Sequence, residues 1–449
     1  MEPLKIKDNT SYNSSIMLNF KNLTNCILNK TLYQLEHEGL FIFPRSLNNS
    51  EDLTRDQFVL QTINNTIRTG NVMGVVGHGI ERLIIKSRFS NNRNDYFFKY
   101  LLKRVLDLPN IVDLKTDANK DKQLFNLLLF MFPQYLRAAM RKGLYKEYIN
   151  RKSNDSNIKG IIDIPRHINK NTPFIGKIAY NERLFSYDNS LIQLVRHTIE
   201  VIKGIQVGHN ILFNIKDEVK LIVNATPTYE IYDRQVIIKS NEKNIVRHAY
   251  YKEYAALQRL CLMILRYQKH EFGFSGQKIF GILFDGAWLW EEYINILVSD
   301  IFYHPMNKSH REAQYLFNNE GRIYPDFISK ADKPRVIADA KYKPIKNIKN
   351  KDYLQVLAYM YRFDAKKGYY FYPDINHQES LQLNLNSGST YENNVMGRDD
   401  INIIKLGLKI PQGCNDYYDF VEEIKLSEEN FISNLKVTLT NNIYSKCKF

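Results

Sequence analysis

Asp326 and Asp339 lie thirteen residues apart, and Lys341 follows the second acid by two. Two carboxylates brought to one place repel each other unless a divalent cation sits between them. A neighbouring lysine can then hold or activate a water for in-line attack on phosphorus. This is the set of groups a magnesium-dependent phosphodiesterase needs. Both acids have short apolar surroundings, Tyr324-Pro325-Asp326-Phe327 and Ile337-Ala338-Asp339-Ala340-Lys341-Tyr342. Residues 336–342 end before Lys343-Pro344 and read as a strand, whose alternation puts Ile337, Asp339 and Lys341 on one face and Ala338 and Ala340 on the other. The polar stretch 329–334 reads as a turn, so that 323–328 and 336–342 form a hairpin carrying Asp326 to Asp339. The bland alternative is a turn cap at Asp326 and a surface ion pair between Asp339 and Lys341. A D-x-K triplet alone favours that alternative. An apolar strand that ends in Ala-Asp-Ala-Lys speaks against it, because a buried acid and lysine are costly without a ligand.

The elements around this hairpin carry further polar groups. Asp352-Tyr353-Leu354-Gln355-Val356-Leu357-Ala358-Tyr359 reads as a helix with Gln355 and Tyr359 on one face, four residues apart. Gly368-Tyr369-Tyr370-Phe371-Tyr372-Pro373 reads as the next strand, and residues 284–294, with Glu291 and Glu292, read as a helix upstream. Together these segments resemble the PD-(D/E)XK nuclease superfamily, with Pro325-Asp326 and Asp339-Ala340-Lys341 in the motif positions. Gln355 and Tyr359 are similar to the Q-x-x-x-Y helix of RecB-like nucleases. Within that superfamily the chain resembles the McrC family, the nuclease subunits of GTP-dependent restriction systems. The resemblance spans about residues 70–375 and is strongest over 284–373. It includes Pro133-Gln134-Tyr135-Leu136 and Arg141-Lys142-Gly143-Leu144, a glycine-aspartate strand at 158–168, the helix opening Tyr187-Asp188-Asn189-Ser190, and the N-terminal β region at 74–86.

The resemblance implies an α/β protein in three parts. An N-terminal α/β region (1–160) docks a partner, a mostly helical middle follows (161–274), and a PD-(D/E)XK core with a mixed sheet flanked by helices ends the chain (275–449). It implies a Mg²⁺-dependent (or Mn²⁺-dependent) endodeoxyribonuclease acting on double-stranded DNA. Asp326, Asp339, the Ala340 backbone carbonyl and Glu291 would hold the metal, and Lys341 and Gln355 would complete the catalytic set. Alignment turns Glu291 rather than Glu292 inward. The partner it implies is a McrB-like AAA+ GTPase that binds the GTP itself, with Arg82, Lys86 and Arg88 near the N-terminal hairpin as docking residues. A free-standing RecB-like nuclease and a non-catalytic GTPase-stimulating protein are the alternatives.

Composition agrees without deciding between these. The 449 residues suffice for two or three domains, 44% are hydrophobic, and the net charge of +14 suits a protein that meets a polyanion. A basic, AT-rich proteome would give the same charge. The four cysteines, Cys26, Cys261, Cys414 and Cys447, form no C-x-x-C pair, which argues against a zinc module and a disulfide framework. No apolar run is long enough for a membrane span, and the first residues lack a signal-peptide core, so a cytoplasmic protein is expected. Gly74-Val75-Val76-Gly77-His78-Gly79 lacks the lysine-serine/threonine ending of a P-loop and reads as a hairpin turn between apolar strands. Residues 151–157 read as a loop, 189–204 as a helix capped by Asp188 or Asn189, and 248–269 as an amphipathic helix burying Leu257, Leu260, Cys261 and Ile264. A Gly-rich patch at 273–281 leads into the Glu291 helix. The basic run 343–351 sits beside the Asp339 strand, where contacts to phosphate would be useful.

Overall fold

The computed structural model describes residues 2–38, 40–43, 57–91, 94–106, 120–205, 208–271, 279–305, 314–331, 334–376 and 380–440. The fold is mixed α/β with several sheets, and its chain forms two compact units. One joins Met1–Asp113 to Gly276–Phe449, and the other is Leu114–Ser275. These units cut across the linear division at 160 and 274, because the N-terminal strands pair with a strand that immediately precedes the Glu291 helix.

In the first unit a six-stranded mixed sheet has the order Phe302–Tyr303, Phe327–Ser329, Val336–Ala340, Lys367–Asp374, Met396–Lys409, Leu381–Ser387. The first two pairings are antiparallel, the next two parallel and the last antiparallel. Helix Asn350–Arg362 makes the crossover between the parallel strands Val336–Ala340 and Lys367–Asp374, as parallel pairing requires. Every residue of Lys367–Asp374 is buried, so its aromatic run serves both faces of the sheet. Tyr370 and Tyr372 pack with Val356, Tyr359 and Met360 of the crossover helix. Phe371 faces the opposite way, with its ring 5.3 Å from Phe431 of helix Tyr417–Thr440. Gly368 permits the helix to close on the strand, since a Cβ there would lie 2.7 Å from Met360 Sδ and 2.9 Å from Val356 Cγ1.

The second sheet of this unit runs Leu4–Lys7, Glu81–Lys86, Val72–His78, Ile279–Asp285, Phe41–Phe43. Val72–His78 and Glu81–Lys86 form the expected hairpin, closed by Gly79-Ile80, with Gly79 at φ 56° where side chains are disfavoured. Strand Ile279–Asp285 pairs along the whole length of Val72–His78 and runs straight into helix Gly286–Val298. Only the end of the Gly-rich patch is seen here, because 272–278 lie outside the described residues. Of the turn at 329–334, Asp332 and Lys333 lie outside them too, as does Cys447.

In the second unit helices dominate residues 161–274, and a small sheet accompanies them. Glu147–Asp155, Ile178–Ser186 and Ile161–Ile162 form an antiparallel sheet. Residues 151–155, expected as loop, belong to its first strand. Their sequence Arg-Lys-Ser-Asn-Asp shows no apolar alternation because little of that strand is buried, and pairing with Ile178–Ser186 holds it instead. The strand expected from 158 shrinks to Ile161–Ile162. Asp163 caps helix Ile164–Asn171, accepting from the Arg166 backbone N–H with Pro165 in the first turn. The helices are as expected. Asn189 caps Ser190–Lys203 through the N–H groups of Leu191 and Ile192, and Lys252–Glu271 buries Leu257, Leu260, Cys261 and Ile264. Among the described residues no helix is long and apolar enough to cross a membrane.

Candidate active site

Strand pairing places the two acids. Phe327 is opposite Ala338 and Ile328 opposite Ile337, so one step further along the hairpin Asp326 stands level with Asp339. Asp326 Oδ2 accepts from the Ala340 backbone N–H at 2.8 Å, which fixes its carboxylate against the neighbouring strand. Asp326 is 9% exposed and Asp339 1%. Lys341 Nζ lies 2.6 Å from Asp339 Oδ2. The face alternation expected for this strand holds, since Ile337 is in the cluster packed against the crossover helix and Asp339 and Lys341 continue that face.

The crossover helix supplies the next groups. Gln355 Oε1 accepts from Lys341 Nζ at 3.2 Å, and Gln355 Nε2 donates to the Tyr359 hydroxyl at 2.7 Å. Burial, and after it the Asp339 carboxylate, push the Tyr359 hydroxyl well above the ordinary tyrosine range, so it stays protonated. Tyr370, level with Asp339 on the next strand, is raised for the same two reasons.

Glu291 comes from helix Gly286–Val298. Asp285 caps that helix through the Ala287 N–H at 2.7 Å and is held by Asn71. Glu291 is buried and Glu292 half-buried, as the alignment of the two had it. Linking this helix to the acidic hairpin is a residue the sequence reading passed over, His304. Its Nδ1 donates to the Asp326 backbone carbonyl at 2.7 Å, while Nε2 lies 3.6 Å from Glu291 and 3.9 Å from Glu292. A lone histidine after a two-residue strand gives no pattern to read, and only the pairing of Phe302–Tyr303 with Phe327–Ser329 brings it here.

The second sheet braces the site through Tyr342, just past Lys341. The Tyr342 hydroxyl meets Ser87 Oγ at 2.7 Å, and its ring lies so close to Gly286 that a Cβ there would be 2.6 Å from Cε1. Arg88 donates to the Tyr342 carbonyl and to Asn71, pairs with the buried Asp8 and stacks 4.6 Å from the Tyr342 ring. Its side chain is 11% exposed. Arg88 is thus built into the unit and is not offered as a surface arm. Arg82 donates to the Gly79 and Glu81 carbonyls at the hairpin tip, and Lys86 is half-buried beside Lys5 and Lys7.

Glu291, Asp326 and Asp339 offer only carboxylate oxygens, which suit a hard divalent cation such as Mg²⁺ or Mn²⁺ rather than zinc or copper. Two acids buried side by side on the hairpin would be favoured by a cation between them.

Residues 67–373 match the family described as McrBC 5-methylcytosine restriction system component. No curated protein matches the chain. Among solved structures, a chain of the tetradecameric assembly of Thermococcus gammatolerans McrB AAA+ hexamers with bound McrC is 15% identical. The similarity covers 97% of this chain and 100% of that one at a TM-score of 0.50, a likeness of fold. A chain of the Thermococcus gammatolerans McrBC complex is 13% identical over 66% of this chain and 87% of that one, with a TM-score of 0.31.

Proposed function

The chain belongs to the family of McrBC 5-methylcytosine restriction system components, and from there we propose that it is the DNA-cleaving subunit of a GTP-dependent restriction system, with a PD-(D/E)XK nuclease core. The observation that carries this reading is the juxtaposition of Asp326 and Asp339 on paired strands, with Lys341 on Asp339 and Gln355 on Lys341. Asp326, Asp339, Glu291 and the Ala340 carbonyl would hold Mg²⁺. The ion supplies Lewis-acid stabilisation of charge on the phosphoryl oxygens and a more acidic water.

The protein's own groups have distinct tasks in this reading. The Ala340 N–H holds the Asp326 carboxylate, and the His304 ring holds its backbone carbonyl. Lys341 stands where it can orient the attacking water and balance the negative charge that develops on the phosphate. Gln355 holds Lys341 to that position, and the protonated Tyr359 holds Gln355.

The partner is a McrB-like AAA+ GTPase, as in the assembly that the solved relative comes from, and GTP belongs to that partner because the glycine-rich segment at 74–79 ends in no P-loop lysine. Double-stranded DNA is the substrate. The test is plasmid DNA with magnesium, with the purified chain alone and with its GTPase. Cleavage that needs both proteins and GTP is expected. Robust GTP-independent cutting by the chain alone would favour a free-standing nuclease, and stimulated GTP hydrolysis with no cutting would favour a non-catalytic activator.

A further inference from the structure

Asp339 is level with Tyr370 on the next strand, and Tyr370 is level with Lys405 on the one after. Residues in register on adjacent strands share a face, so Asp339, Tyr370 and Lys405 form one row across the sheet, under the crossover helix. Two strand spacings separate Asp339 from Lys405, roughly 10 Å. Lys405 is 5% exposed, a rare placement for a lysine in the middle of a strand. Its ammonium donates to the Tyr353 hydroxyl at 2.6 Å and the Ile348 carbonyl at 3.3 Å.

Beside it opens a depression of about 460 Å³ lined by Lys346, Lys349, Lys351 and Lys405 together with Ile345, Ile348, Asn350 and Tyr353. Among the described residues no carboxylate is in that lining. Asp352, in the first turn of the crossover helix, is paired with Lys343, which contacts both its oxygens at 2.7 and 2.8 Å. Four lysines on one hollow concentrate positive charge there, and the two hydrogen bonds of Lys405 account for that residue alone. The other three are exposed residues of the same lining, and among the described residues none forms an ion pair with an acid.

We propose that this depression is a phosphate-binding subsite for the DNA backbone, holding the duplex on the nuclease sheet to one side of the scissile phosphate. The inference rests on the nuclease reading for its substrate and deepens it. A row that runs from two acids to a buried lysine separates the place where phosphate is attacked from a place where phosphate is only held. Lys346, Lys349 and Lys351 approach from the loop and first turn of the crossover helix, so backbone contact here bears directly on the element that carries Gln355.

Binding can be read without cleavage. The full chain, in EDTA, is titrated against a short fluorescein-labelled DNA duplex by anisotropy over a series of KCl concentrations. The Lys346→Gln/Lys349→Gln double variant keeps both side chains polar and removes two exposed charges. It should bind roughly tenfold more weakly at low salt and flatten the dependence of log affinity on log salt by about 1 to 2. Lys405→Met should weaken binding in the same direction, with a thermal melt to show that it is folded. A matched charge control, Lys425→Gln/Lys436→Gln on the exposed side of helix Tyr417–Thr440, should change little. Unchanged affinity and salt slope in the first double variant would overturn the proposal, as would an equal loss in the control or no duplex binding by the unaltered chain. Loss of binding to an acidic protein partner in place of DNA would also overturn it. Because no metal or turnover is involved, normal variant effects on binding in a chain that never cuts DNA would sink the nuclease reading and leave this subsite standing.

Discussion

Lys341 Nζ stands 2.6 Å from Asp339 Oδ2 and 3.2 Å from Gln355 Oε1, so one ammonium joins the strand acid to the crossover helix. The pair is buried enough that removing either side leaves an uncompensated charge, which makes the choice of substitution important. Lys341→Met keeps the aliphatic stem and should lower the cleavage rate by roughly two orders of magnitude with magnesium dependence little changed. Single-turnover cleavage across a magnesium series checks this. Loss of the folded state in place of loss of rate would make Lys341 a structural partner only.

Asp326→Asn and Asp339→Asn should each cut cleavage by roughly two orders of magnitude or more, the scale of losing one stabiliser of developing charge. Assembly with the GTPase should persist, because both acids point into the unit between strand and helix. Gel filtration of the mixed proteins and a plasmid assay separate the two effects. Full cleavage by Asp339→Asn would remove this pair from the chemistry.

His304 touches Asp326 through its backbone and Glu291 through its side chain, and so acts on the site through other residues. His304→Ala should raise the magnesium concentration for half-maximal cleavage by roughly tenfold, the lower end for partners of metal ligands. His304→Gln, which can still donate to the Asp326 carbonyl, should recover part of that loss. An unchanged magnesium dependence in His304→Ala would confine His304 to packing against Phe327.

Tyr359 keeps its proton well above the ordinary range because it is buried and close to Asp339. No inflection in the cleavage rate up to about pH 10 should therefore belong to it. Tyr359→Phe should leave the shape of the pH–rate profile unchanged while lowering the rate modestly through Gln355. A profile whose alkaline limb disappears in Tyr359→Phe would contradict this.

Burial pushes the Asp8 carboxyl up to about 6, against the lowering effect of Arg88. A carboxyl raised in the folded state favours folding below its unfolded pKa, and that contribution is lost as pH rises from about 4 through about 6. Arg88→Gln removes the cation that offsets the cost of the ionised form. Without Arg88 the Asp8 carboxyl rises further above 6, so the variant should be less stable by about 3 kcal/mol where Asp8 is ionised, with the deficit shrinking as pH falls toward about 6 and levelling off below it. Chemical denaturation of both proteins at neutral and acidic pH gives the comparison, and a deficit independent of pH would assign the effect to the lost Tyr342 and Asn71 hydrogen bonds alone.

The sequence by itself determined the acidic hairpin, because a two-residue period leaves little freedom. Once 336–342 is a strand, Asp339 and Lys341 must share a face with Ile337, and a turn at 329–334 must bring Asp326 back beside them. Helical spacing likewise put Gln355 and Tyr359 on one side of Asn350–Arg362, and the glycine and apolar flanks at 72–86 set the N-terminal hairpin. Only the tertiary structure decided the rest. His304 reaches the site, Lys405 joins the row from Asp339, and Tyr342 meets Ser87 and Arg88 through pairings between segments far apart in the chain, and no local period records a partner strand. Arg88 looks from the sequence like a surface cation on a basic hairpin, yet the buried Asp8 and the Tyr342 carbonyl turn it inward. The polar strand Glu147–Asp155 hid for the converse reason. A strand held by backbone pairing, with little side-chain burial, leaves no hydrophobic alternation in its residues.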